Sequence, residues 1–161
     1  MIEVKGLNEA MRGLARIQNF IKRGDKRIMA VLGKVAIYYI IQRTGEGKDV
    51  DGKKFEPYSK EYARRKGVSR SNVDLAVSRK MIGAIAKQAF PKRTRIYVRS
   101  SARGMKLSNY NLAVVHNYGA HTGKAYIPKR EFVGLSEKEV EILRGVLQKI
   151  FYAKVKQLFY A

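Results

Sequence analysis

At 161 residues, 45% of them hydrophobic, the chain is long enough for one domain with a buried core and is not a disordered basic tail. Its 34 Lys and Arg against 13 Asp and Glu leave a net charge of +21, so the expected neighbour is nucleic acid or an acidic member of an assembly. The absence of Cys excludes disulfides, thiolate zinc sites and thiol nucleophiles together.

Met1 to Lys5 alternates Ile2 and Val4 with Glu3 and Lys5, which predicts a short half-exposed strand ended by Gly6. The same N-terminus lacks the charged-then-apolar order of a signal peptide, so a soluble protein of a cytoplasmic or host-cytoplasmic setting is expected. Leu7, Met11, Leu14, Ile17 and Ile21 recur at steps of three and four and predict a helix over 7–21. Gly24 and Asp25 break the chain, and a second helix follows from Lys26 to about Arg43. Its segment Ile28 to Ile41 is apolar nearly all round, which suits a central helix or one buried again in an oligomer. That segment is shorter than the ~20 residues of a membrane span, and Lys34 interrupts it, so no membrane partner is expected.

Residues 44–58 are rich in Gly and charge and read as a flexible loop. Ser59 caps a short helix through Lys66, and 67–73 is another polar break. Asp74 or Ser78 then starts a helix to about Phe90, with Met81, Ile82, Ile85 and Phe90 as its apolar side and Pro91 as its stop. Arg95 to Arg99, RIYVR, reads as a strand with Arg95, Tyr97 and Arg99 outward and Ile96 and Val98 inward. Residues 100–109 form a second flexible, basic loop, and Tyr110 to Tyr118 reads as strand or helix, with a short helix preferred because Leu112, Val115 and the Gly119 stop fit a turn-and-cap pattern. Pro128 to Leu135 is extended. Ser136 and Glu139 form a capping box, and the helix behind them runs to the C-terminus. The sum is an α+β domain spanning 1–161, a small mainly antiparallel sheet packed with four to five helices, including a long central helix and a long C-terminal one.

Chemistry has no visible seat. His116 and His121 are five residues apart, not four, and residues 75–130 hold no carboxylate or thiol to complete a metal site. Asp49 and Asp51 before Gly52 lack the further acids of a calcium loop and sit among Lys48, Lys53 and Lys54, so a solvated turn is the better reading. Ser78 has no Lys three residues on, where Met81 stands instead. No catalytic residue, metal or cofactor is expected. The distribution of charge is more informative. Twelve cations and no acid lie between Asp74 and Glu131. Lys92, Arg93, Arg95, Arg99, Arg103 and Lys106, with Tyr97, Tyr110 and Tyr118 interleaved, suit phosphate contact and stacking without base readout, or contact with an acidic partner. The plainer alternative is a set of solvated faces.

Arg43 to Gly47 is followed by Asp51-Gly52-x-x-Phe55-x-Pro57-Tyr58-Ser59 and by Tyr62-Ala63-x-x-Lys66. Leu75 and Ser78-Arg79-Lys80-Met81-Ile82 come next. Ala113-x-x-His116-Asn117-x-Gly119 and Ile127-Pro128-x-Arg130-x-Phe132-x-Gly134-Leu135-Ser136 complete the series. In this order the motifs resemble the phage virion-morphogenesis family of tail-completion and head-to-tail joining proteins, from about residue 43 to the end. Arg79 stands where that family pattern has Gly, Phe55 where Trp is frequent, Leu112 where Tyr is expected, and Lys129 and Glu131 replace Ala and Pro. The resemblance implies a structural protein of the head–tail neck or tail end of a virion, assembled in the host cytoplasm as a homo-oligomeric ring, commonly sixfold. Its partners would be other neck and tail proteins, with phage DNA touched without sequence specificity. The alternative is a sequence-independent nucleic-acid-binding protein outside the particle, and a small nuclease is a weaker third. The quoted motif residues read as turns, caps and chain-entry points rather than catalytic groups.

Overall fold

The computed structural model describes residues 7–76, 79–100, 108–122 and 125–160. The expected first strand and Ser78 lie outside them. Helix α1 (Leu7–Arg23) and helix α2 (Lys26–Gly45) are separated where the Asp25 carboxylate accepts from the Arg27 and Ile28 amides at 2.7 and 3.3 Å. Helix α3 (Lys60–Lys66) is capped by Ser59, whose hydroxyl accepts from the Tyr62 amide. Strands β1 (Ile85–Ala89) and β2 (Thr94–Val98) form one hairpin. Helix α4 (Asn109–Tyr118) starts on the Ser108 hydroxyl and ends at Gly119. Strands β3 (Ala120–Thr122) and β4 (Ala125–Ile127) form a second hairpin, and α5 runs from Glu137 to Tyr160. The Ser136 capping box is reciprocal: Glu139 N–H donates to the Ser136 hydroxyl at 3.2 Å, and Ser136 N–H donates to the Glu139 carboxylate at 2.7 Å.

The architecture is α+β, as the sequence implies, but among the described residues the strands make two separate two-stranded antiparallel sheets rather than one small sheet. The expected helix over 74–90 is absent. A single 3-10 turn, Ile82–Ala84, leads instead into β1. Pairing decides this: Phe90 N–H bonds Arg93 C=O at 2.8 Å around the Pro91 turn, and Ile85 to Ala89 lie opposite Val98 to Thr94. The second hairpin occupies what the sequence shows as a Gly-rich loop around His121.

Helix α2 sits in the middle, with the β1–β2 hairpin against one side and α5 against another, while α1 lies along α5. Gly33 allows the hairpin close. A Cβ there would stand 2.6 Å from the Thr94 methyl and 2.8 Å from Lys87 Cδ, and the Thr94 hydroxyl donates to Met29 C=O at 2.5 Å. The core is off-centre. Ile40, Phe55, Tyr58, Val73, Met81 and Val98 gather around fully buried Phe132, at the C-terminal end of α2. In α5 only Glu139 is buried. The apolar stripe of α1 does not enter the core, and Met11, Leu14 and Ile21 are all more than half exposed.

Candidate functional site

The motif residues converge on one stretch of chain, 128–136. Arg43 lies on the buried stripe of α2 with Gly33, Ala36 and Ile40. Its guanidinium donates to the carbonyls of Phe132 and Gly134 at 2.9 and 3.0 Å and pairs with the buried Glu139 carboxylate. From α4, Asn117 Oδ1 accepts from the amides of Phe132 and Val133 at 3.1 and 2.9 Å. Arg130 is 3% exposed, donates to Glu56 C=O at 2.9 Å and lies 5.3 Å over the Tyr58 ring. Arg130 N–H reaches His116 C=O at 2.7 Å, and Val50 N–H reaches Glu131 C=O at 2.9 Å. Gly119 has φ +77°, and a Cβ there would meet Ile127 C=O at 3.1 Å, so its lack of a side chain lets α4 turn back onto the same segment.

The loop before α3 belongs to this clamp. Phe55 is core and Pro57 leads to the Ser59 cap, while Asp51 and Gly52 form the exposed turn. The Asp49 carboxylate accepts from the Asp51 and Lys53 amides at 3.0 and 2.8 Å, which holds that turn. Arg43 and Glu139 stand 96 residues apart, so their pairing carries no local signal. The available hint was that Arg43 continues the 33–36–40 stripe.

His116 is largely buried, and among the described residues its Nδ1 has no hydrogen-bond partner. Burial first, and then the Arg130 charge, push its pKa down to about 4, so the ring is neutral at pH 7. His121 is exposed in β3 beside Tyr126. Among the described residues no three His, Asp or Glu groups are placed to hold a metal ion.

The basic residues lie elsewhere. Lys92 and Arg93 occupy the tip of the β1–β2 hairpin, and Arg95 and Arg99 project outward from β2 and its end. All four are exposed; Arg103 and Lys106 lie outside the described residues. The strand alternation is as the sequence implies, with Arg95 and Tyr97 out and Val98 buried. Tyr97, Tyr110 and Tyr118, distant in sequence, come together around a groove of about 240 Å³ between β2 and α4, with Arg95 at its edge.

The motif residues thus form a clamp of caps and buried polar contacts, with basic and apolar surfaces around it. The sequence profile of the phage virion morphogenesis family matches residues 2–152. The chain therefore belongs to that family, and its role lies in building phage particles. No curated protein and no solved structure matches it.

Proposed function

We propose that the protein is a non-catalytic component of the head–tail neck or tail end, joining or completing the tail as a ring of identical copies. The observation that carries this reading is the amount of apolar side chain left outside. Leu14 and Ile21 on α1, Val31 and Tyr38 on α2, and Tyr152 and Tyr160 on α5 are exposed, on helices that pack together as α1–α5–α2. Large exposed apolar areas mark interaction surfaces, and a head-to-tail contact between different faces makes a ring when its rotation closes. Family membership supplies the particle as the place of assembly.

Deleting the gene from its phage and imaging the products tests this reading. Full heads and separate tails are expected, with joining restored by added protein. Normal joined particles from the deletion would sink it. A second reading, contact with DNA without base recognition, draws support from the four exposed cations of the hairpin, and Arg95→Glu with Arg99→Glu should then lower DNA retention without unfolding the protein.

A further inference from the structure

The groove between β2 and α4 is bordered by four successive strand residues, Arg95 to Val98, so it follows the edge of β2 rather than one face of the hairpin. Its other wall is a single face of α4: Tyr110, Ala113, Val114, Asn117 and Tyr118, at steps of three, one, three and one. Among the described residues the β1–β2 sheet has two strands, and none of them pairs with the β2 edge beside α4. The bonds from Phe90 N–H to Arg93 C=O and from Arg99 N–H to Ala84 C=O fix which β2 groups face β1. In an antiparallel pair these alternate, so the N–H and C=O groups of Ile96 and Val98 point to the open edge. Among the described residues, no backbone bond from outside the hairpin reaches them.

We propose that this groove binds an extended peptide segment of another protein, which adds as a third strand beside β2 and alternates apolar with acidic side chains. Backbone pairing at about 4.8 Å would satisfy Ile96 and Val98, the ladder used whenever a peptide augments a sheet edge. Ala113 and Val114 offer an apolar wall for every second side chain, and Tyr97 and Tyr118 offer broad partly apolar rims. Charge sets the remaining positions. Arg95 lines the groove, Arg93 and Arg99 flank it, and residues 75–130, which supply β1, β2 and α4, contain no carboxylate. A second copy of so basic a chain is a poorer match than an acidic segment. A nucleic acid strand would answer the charge and the tyrosines but would leave the Ile96 and Val98 backbone groups without a matching ladder.

Random nine-residue peptides displayed on yeast, panned against the folded full-length protein, test the assignment. Enriched sequences are expected to alternate apolar and acidic residues. As synthetic peptides they should slow hydrogen exchange at the Ile96 and Val98 amides. They should lose at least tenfold in affinity when every second amide is N-methylated. They should lose as much against Val114→Trp, which fills the groove from a partly exposed position, and against Arg95→Glu. Failure to recover any peptide sensitive to Val114→Trp would overturn the proposal, as would enrichment of basic or helix-patterned sequences. Protection of the same two amides by the oligonucleotide dT12 would assign the groove to nucleic acid. Equally tight binding of a synthetic MIEVKG peptide would assign it to a second copy of this chain.

Discussion

Arg43 and Glu139 show how much a few buried polar groups carry here. Both side chains are almost wholly removed from water, and each also bonds backbone of the 132–136 segment. Taking away one partner strands a buried charge, so Arg43→Ala should destabilise the fold by about 3–5 kcal/mol. The double variant Arg43→Met, Glu139→Leu should cost clearly less than the two single losses summed, and urea unfolding of all three variants would measure it. Additive costs would mean that the two groups are not coupled. His116 contributes a pH dependence of definite sign. Its folded pKa of about 4 lies below the ordinary 6.5, so in that window the unfolded chain binds the extra proton. Stability is therefore full above pH 6.5 and falls as pH drops toward 4. Between pH 7 and pH 5 the loss should be about 2 kcal/mol from this group, and it should vanish in His116→Gln. Identical slopes for the two proteins would contradict the assignment. Arg79 sits at φ +54°, a left-handed conformation that favours Gly. Arg79→Gly is accordingly expected to raise the unfolding midpoint, by about 1 kcal/mol or less after the added chain entropy. A lower midpoint would show that its side chain matters more than its backbone.

The elements divide into a packed end and a thinly packed one. The C-terminal part of α2, the 44–58 loop, the first hairpin and α4 share the core around Phe132. The far end is held by contacts such as Phe20 with Phe151, 5.8 Å between ring centroids, and Gly13 against Phe159. Amides of α1 and of the last turns of α5 should therefore exchange with solvent well before those of β1, β2 and α2, by native-state hydrogen exchange. Uniform protection would refute a two-part stability. The same division governs what the sequence reveals. Elements with chemical punctuation are legible: Asp25, Ser59 and Ser136 each hold a helix start and Gly119 ends α4, whereas Ser108, which caps α4, lies in the stretch read as a loop. The 74–90 segment is not. Ala, Lys and Gln in IAKQA favour helix locally, and only pairing with β2 across the Pro91 turn makes them a strand. The α1 stripe is legible as periodic but not as exposed, because periodicity shows which face is apolar and not what covers it. The motif clamp was readable as a series of local pieces, while its closure through Arg43, Asn117 and Glu139 depends on contacts between distant parts of the chain.

At the scale of the whole molecule, a charge of +21 must be reconciled with self-association. Copies of such a chain repel one another in free solution, and a counter-charged neighbour or DNA lowers that repulsion. DNA retention, if the basic rim is used, should weaken with salt. The four exposed hairpin cations give a slope of log K on log salt of about −3.6, and six give about −5. Absence of affinity at low salt would remove the DNA reading and leave the acidic neighbour. In the proposed ring the apolar faces would supply the contacts between copies. Leu14 and Ile21 are exposed, so Leu14→Glu with Ile21→Glu should leave the monomer's unfolding midpoint nearly unchanged and yet block assembly. The most direct measurement is the number of copies in purified particles when a deletion phage is complemented with either the wild-type or the Leu14→Glu, Ile21→Glu protein. The wild type is expected as a fixed multiple per joined particle, with the doubly substituted protein absent and the heads unjoined. Joined, infectious particles that lack the protein altogether, or that incorporate the doubly substituted form as well as the wild type, would contradict assembly through these faces.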